Sequence, residues 1–307
     1  MENQSVFSDS FFAMGTRCDM VFTAIETELA ERAFHLVRNE IEEMEYRLSR
    51  YIPDSPLSVI NKTGKDIWIS VSDDLWDILT ICLDFYEMTN GAFDITATAL
   101  IGLWKNGGKP TQNEIENAKK ISGFDKVEFD FENQKLKFLE DGIEFDLGGI
   151  GKGVALDTIK PVLINEGIKN GIISFGESSI LALGSHPNGE KWPLGIKNSY
   201  DTNEFVHLFS VSNKVITTSG TILNTDSGNV VKRNHIISPE TGLPVEGKRT
   251  VSVKSESATM GEFISTIWLI LPESDKRILV DKLKNIEILE VNYNELNEYK
   301  TKLSLLK

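Results

Sequence analysis

The chain has 307 residues, 40% of them hydrophobic and only nine of them proline, a composition that excludes a disordered protein and allows one large domain or two interlocked halves. At this length a folded chain buries about three quarters of the surface exposed when unfolded, enough core to support a deep cleft without disulfide or structural metal. With 46 acidic against 32 basic residues the formal charge is −14, which opposes unaided binding of nucleic acid or an anionic membrane; a phosphorylated ligand would need a local positive device.

Two apolar, aromatic-rich runs, Ser5–Ala13 and Cys18–Thr23, flank Met14-Gly15-Thr16-Arg17 and predict two strands joined at a glycine turn. Leu29, Ala33, Val37, Ile41 and Met44 recur at helical spacing, so a long amphipathic helix is expected over Glu26–Arg50, stopped by the prolines of Tyr51–Pro56. Helices follow over Ser72–Thr89 and Ile95–Trp104, and Thr111 with Glu114 forms a capping box for a short one. Val127–Phe131 and Lys135–Phe138 predict a hairpin, and Val154–Asn165 a helix. Short strands are expected at Ile172–Phe175, Ile180–Leu183, Leu194–Ile196, Val206–Val211 and Val215–Thr217. Helices over Thr259–Leu271 and Ser274–Lys284 and a strand over Ile286–Val291 complete the pattern. Neighbouring antiparallel strands without regular strand–helix alternation predict an α+β protein, read as one compact domain spanning residues 1–307.

Cys18 and Cys82 lack the short spacing of a zinc knuckle or redox pair and read as buried, inert thiols. The start, Met1 to Ser5, has no basic stretch followed by an apolar one, and no later run reaches the ~18 apolar residues of a membrane span. The expectation is a cytoplasmic protein without a transmembrane segment, or an exported or lipid-anchored one whose leader has been removed.

Four segments have the composition of chemistry. Asp146-Leu147-Gly148-Gly149-Ile150-Gly151-Lys152-Gly153 sits between a predicted strand and helix. It matches neither the Walker A loop nor the Gly-x-Gly-x-x-Gly spacing, so it reads either as a bare backbone for a phosphate or as a tight turn. Glu262, Ser265 and Thr266 share one helical face, which suits a hard cation such as magnesium or an ordinary solvated polar stripe. His235, leading into Ile236-Ile237-Ser238-Pro239-Glu240-Thr241-Gly242, reads as a general base or as the cap of a turn. The hydroxyl-rich Ile216–Thr221 reads as a ligand wall or a strand end, and Met14, Tyr51 and Ala92-Phe93-Asp94 stand beside turns where apolar groups can pack on a flat ring.

Taken together and in order, these segments resemble the ApbE-like family of FAD:protein FMN transferases. The blocks are Met14-Gly15-Thr16, Leu48-Ser49-Arg50-Tyr51 with Asp54–Ser58, Gly91–Thr96, Asp146–Gly153, Thr218-Ser219-Gly220, His235–Gly242 and Ser265-Thr266, running from Met14 to about Leu271. The resemblance implies a fold related to the T-fold, with antiparallel sheets, flanking helices and an FAD cleft between two interlocked halves. It places Met14, Tyr51, Ala92, Phe93, Asp94, Asp146, Lys152 and Ile237 at FAD-contacting positions, and Gly149 (through its carbonyl), Glu262, Ser265 and Thr266 at magnesium positions. It implies magnesium as cofactor, FAD as substrate, Lys152 and His235 as catalytic groups, and an acceptor flavoprotein carrying an Asp-Gly-x-Ser/Thr-Gly-Ala-Thr-like segment.

The chain departs from the family pattern at three places: Glu262 stands where aspartate is usual, Glu177 follows Gly176 where a second glycine is usual, and a proline after Leu194-Gly195-Ile196 is replaced, with Asn198 nearby. Two other activities are compatible with the same cleft: an FAD pyrophosphatase that uses water as nucleophile, and a catalytically inactive FAD-binding protein.

Overall fold

In the computed structural model, which describes residues 5–224 and 230–306, the chain opens as a hairpin. Strands β1 (Val6–Ala13) and β2 (Thr16–Thr23) are joined by Met14 and Gly15, both at positive φ (52° and 72°), as a two-residue turn between right-twisted strands requires. Helix α1 (Thr27–Leu48) buries Ala30, Ala33, Val37, Ile41 and Met44, so the predicted stripe is the packed face. The proline-bounded loop leads directly into helix α2 (Pro56–Asn61), which the sequence reading left out; Ser55 caps it by accepting from the Ser58 N–H, and Pro56 occupies its first turn.

Strand β3 (Ile69–Ser70), helix α3 (Asp73–Met88), helix α4 (Thr98–Trp104) and helix α5 (Gln112–Lys120) follow. The capping box of Thr111 and Glu114 is formed, while α4 starts three residues later than expected. Strands β4 (Val127–Asp130) and β5 (Lys135–Phe138) pair with β3 in a small sheet, and helix α6 (Gly151–Asn165) begins inside the glycine segment.

The second half supplies β6 (Gly171–Phe175), β7 (Ser179–Leu183), β8 (Trp192–Lys197), β9 (Phe205–Val211), β10 (Lys214–Gly220), β11 (Ile222–Asn224), β12 (Val230–Lys232) and β13 (Lys248–Ser255). Helices α7 (Ala258–Ile270) and α8 (Glu273–Val280) and strands β14 (Ile286–Tyr293) and β15 (Tyr299–Leu306) end it. Helix α8 stops short of Lys284, and β13 and β15 are strands the sequence reading did not name. Both carry many charged or hydroxyl side chains, which mask the period-2 signal.

An eight-stranded antiparallel sheet, ordered β1-β2-β6-β7-β10-β13-β14-β15, is the backbone of the molecule and bears out the α+β expectation. Its central strands come from distant parts of the chain. Helices α1, α6 and α7 cover one face, enclosing Met20, Phe22, Ile173, Phe175, Val215 and Val253 with Phe263 and Ile264. The β8–β9 hairpin covers the other through Trp192, Phe209 and Val211 against Ala182, Ile216 and Leu289. Cys18 and Cys82 are buried in the larger core, where desolvation pushes both thiols up, as expected of inert groups. No helix among the described residues is long and apolar enough to cross a membrane. The first residues, Met1 to Gln4, read above for a leader, lie outside the described residues.

Helix α7 lies against β10 and β13 and crosses α6 closely. Two glycines permit this: a Cβ at Gly153 would stand 2.7 Å from the Ala258 carbonyl oxygen, and one at Gly261 would stand 2.7 Å from the Thr217 hydroxyl. The helices are also joined by a cap. Asp157 of α6 accepts from the Ala258 N–H (2.7 Å), the Thr259 N–H (2.9 Å) and the Ser257 hydroxyl (2.7 Å), satisfying donors at the α7 N-terminus. Replacing Asp157 by Ala leaves these donors unpaired, so urea denaturation should show a loss of about 2 kcal/mol in folding stability.

Candidate active site

The glycine segment holds its shape by local bonds. Asp146 Oδ1 accepts from the Gly148 N–H (2.9 Å), and the Asp146 N–H donates to the Ile95 carbonyl (2.8 Å), stitching the segment to Ala92–Thr96. The sequence left two roles open for these glycines, and the structure divides them. Gly153 is a packing glycine, whereas a Cβ added at Gly149 would meet nothing within 4 Å because its backbone faces a cavity.

Helix α7 resolves the second ambiguity. Ten of its thirteen residues are buried, Glu262 and Ser265 among them, so the Glu262, Ser265, Thr266 face is no solvated stripe. Glu262 and Thr266 open instead onto the same cavity. The Glu262 carboxylate accepts from the Gly153 N–H at the start of α6 (2.8 Å) and from the Ser179 hydroxyl (2.6 Å), and lies 3.1 Å from Lys152 Nζ. A carboxylate this buried is tolerable because a helix N-terminus, a hydroxyl and an ammonium all meet it. One turn on, the Ser219 hydroxyl of β10 lies 2.8 Å from that of Ser265 and 3.1 Å from that of Thr266. Among the described residues no three His, Cys, Asp or Glu side chains come together as a metal-binding group, so a cation at Glu262 would rely on hydroxyl and carbonyl oxygens.

His235 also lines this cavity. Its segment is fixed by the Trp104 indole N–H donating to the Gly242 carbonyl (2.8 Å), by Ile237 pairing with Pro244, and by Ile237 burying itself beside Leu100 and Ile115. The His235 side chain is exposed to the cavity. Partial desolvation, reinforced by Arg233 and Lys152, pushes His235 down to about 4, so it is neutral at physiological pH.

The cavity, about 390 Å³, falls within the range of roughly 300–1,000 Å³ usual for small-molecule sites. It gathers most of the residues singled out in the sequence: Ala92, Phe93 and Asp94 from one segment, Asp146, Gly149 and Lys152 from the next, then His235 and Ile237, and finally Glu262 and Thr266. Asp94 is largely buried, and desolvation raises its carboxyl although Thr96 donates to it. Ser265 stands behind Ser219 and is not on the wall. Met14 and Tyr51 are not on it either. Met14 sits at the hairpin tip whose Arg17 carbonyl accepts from the Gly176 N–H (2.9 Å), beside the turn that presents Ser178 to the cavity. Tyr51 is 71% exposed, its ring between the Arg50 guanidinium (5.5 Å) and Lys105 Nζ (5.6 Å), and Arg50 in turn pairs with Asp146 (3.3 Å). A second cavity of about 470 Å³ shares Ala92, Asp94, Pro239 and Ile270 with the first.

Two departures from the family pattern lie off the cavity wall. Glu177 adopts a positive φ of 61° and pairs with Lys197 (2.8 Å), and it is not on the cavity wall. Asn198 is buried, with its amide donating to Glu204 (2.6 Å). The sequence reading missed Ser179 and Arg233. A buried serine in a strand and a second basic residue after Lys232 carry no signal until the strands are folded.

The architecture is thus a mixed helix and antiparallel-sheet protein with a partly cationic cleft beside a glycine-rich helix start. The sequence model for the ApbE family matches residues 14–289, and the chain belongs to that family. It is 29% identical to an FAD:protein FMN transferase of Buchnera aphidicola subsp. Schizaphis graminum over 80% of this chain and 74% of that protein. It is 30% identical to one of Chlamydia muridarum over 70% and 68%. Among solved structures, the ApbE protein of Thermotoga maritima superposes with a TM-score of 0.81 at 25% identity over 96% of both chains. The flavin transferase ApbE of Vibrio cholerae superposes with a TM-score of 0.84 at 23% identity, over 98% of this chain and 97% of that one.

A proton NMR titration should place the His235 imidazole midpoint near 4 in the ligand-free protein. Because the folded value lies below the unfolded value, the unfolded chain binds the extra proton as pH falls from 6.5 towards 4; His235 therefore lowers folding stability across that window and has no effect above it.

Proposed function

We propose that this protein transfers the FMN moiety of FAD to a threonine or serine hydroxyl of an acceptor flavoprotein, releasing AMP. The observation that carries this reading is the meeting in one cavity of the glycine segment, Lys152, His235 and the polar face of α7. The names of the relatives, FAD:protein FMN transferases, support it.

In this reading the FAD cleft lies between two interlocked halves of the chain. Ala92, Phe93, Asp94, Asp146 and Ile237 line the space for the dinucleotide, the adjoining cavity extends it, and Met14 and Tyr51 offer apolar and aromatic surface at its rim. The acceptor hydroxyl attacks the FMN-side phosphorus. A new phosphorus–oxygen bond to the acceptor forms as the bond to the AMP oxygen breaks, and AMP leaves with the charge of that oxygen. Neutral His235 takes the hydroxyl proton. Lys152 places positive charge near the phosphates, and most of the rate enhancement comes from positioning and electrostatics.

The α7 donors fit magnesium in kind: a carboxylate and a cluster of hydroxyls, with the Gly149 backbone on the same wall, all oxygen ligands for a hard cation. Glu262, Ser265, Thr266 and the Gly149 carbonyl would hold the ion, which when bound supplies positive charge beside the pyrophosphate. Lys152 shares the Glu262 carboxylate, so ammonium and cation are alternatives for the same oxygens. The acceptor carries an Asp-Gly-x-Ser/Thr-Gly-Ala-Thr-like segment.

Incubation with FAD, magnesium and an acceptor bearing that segment should yield covalent flavin on the acceptor and one AMP per transfer. His235→Ala should slow transfer by about 10²- to 10⁴-fold, and Glu262→Ala should abolish its dependence on magnesium with a loss of roughly 10²-fold or more. Undiminished transfer by Glu262→Ala would refute the metal role. Free FMN and AMP without labelled acceptor would mean a pyrophosphatase, and FAD binding with no AMP would mean a carrier.

A further inference from the structure

A chain with a formal charge of −14 has to bring local positive charge to any phosphorylated ligand. Lys152 is one cation on the cavity wall, but its ammonium is 3.1 Å from the buried Glu262 carboxylate, with which it is paired. Arg50 lies nearby and is likewise engaged by Glu144 and Asp146. Arg233 is the other cation on the wall. It directly follows β12, which pairs with β11, and its backbone N–H donates to the Thr221 carbonyl (2.8 Å), so its main chain is anchored at the end of β10. Its side chain is exposed at the mouth of the cavity, and no ion pair joins it to a described carboxylate.

We infer that Arg233 is a further anion-binding residue of this site, in which its guanidinium closes on the phosphate oxygens of the bound dinucleotide. The inference rests on the proposed reading of the cavity as an FAD site and adds to it the group that holds the diphosphate. A guanidinium is suited to this because its planar fork meets two phosphate oxygens at once, which an ammonium does not do. Arg233 and Lys152 also bear on His235, two residues along the chain, by disfavouring its protonated form. A bound diphosphate, lying among the three, offsets that positive field and makes His235 a better proton acceptor when substrate is present. The same anion that Arg233 grips thus readies the base.

The test uses the full chain and three ligands, FAD, riboflavin and inorganic pyrophosphate, with Arg233→Gln and Arg233→Lys. Arg233→Gln should weaken FAD and pyrophosphate binding about 10- to 100-fold, leave riboflavin binding unchanged, and lose most of its salt dependence of FAD binding. Arg233→Lys should recover part of the loss. In the ligand-free protein the His235 NMR midpoint should rise in Arg233→Gln, and in the native protein it should rise on adding pyrophosphate. Equal FAD affinity in native protein and Arg233→Gln, with an unmoved His235 midpoint, would overturn the inference while leaving the transferase reading intact. Tight, Arg233-dependent FAD binding without any transfer would do the reverse. Failure of the native protein to bind FAD would overturn both.

Discussion

The carboxylate of Glu262 is the junction on which the cavity depends. It accepts from the first turn of α6 through the Gly153 N–H, meets Lys152 in that same turn, and accepts from β7 through the Ser179 hydroxyl, so one α7 side chain fastens a helix start and a strand. Loss of that group would strand a helix N–H, a buried hydroxyl and an ammonium at once, and buried polar groups without partners are costly. The close approach that makes the junction possible needs Gly153 and Gly261, because neither the Ala258 backbone nor Thr217 leaves room for a Cβ. The glycines, the carboxylate and the Asp157 cap are one device for holding α7 on α6.

Glutamate suits this junction. Its extra methylene, compared with the aspartate usual in the family, lets the carboxylate span from α7 to the Gly153 N–H and Ser179 while remaining on the cavity wall. The junction also sets the electrostatics. An acidic protein brings positive charge to this cavity by convergence: Lys152 from α6 and Arg233 from beyond β12 line it together, beside the carboxylates of Asp94, Asp146 and Glu262. Desolvation, reinforced by these two positive charges, keeps the His235 imidazole neutral. The negative charge of the chain lies mostly on its exposed surface, as with Glu177, which turns outward to Lys197.

Much of the fold was legible in the sequence. The α1 stripe, the glycine hairpin, the Thr111–Glu114 capping box and the α+β class all follow from patterns within a few residues, because helix faces, turns and caps are local. Strands β13 and β15 were not legible, since their charged and hydroxyl side chains hide the alternation and only pairing with β10 and β14 makes them strands. Helix α2 was hidden by the prolines around it, although Pro56 is what starts it.

The sequence by itself singled out the candidate site residues: the glycine segment with Lys152, the histidine before Ile236-Ile237, and the carboxylate with hydroxyls at three- and four-residue spacing. Spacing within one helix or turn is a local property, and a set of such blocks in fixed order is enough to mark the family. Only the tertiary structure decided that these blocks share a cavity, that Gly149 is open while Gly153 is packed, and that the α7 stripe is buried and not solvated. It alone also brought Ser179 and Arg233 into the site and left Met14 and Tyr51 off the cavity wall. The reason is physical: burial, close approach and the summed field at a side chain depend on neighbours from distant parts of the chain, and no pattern of adjacent residues encodes them.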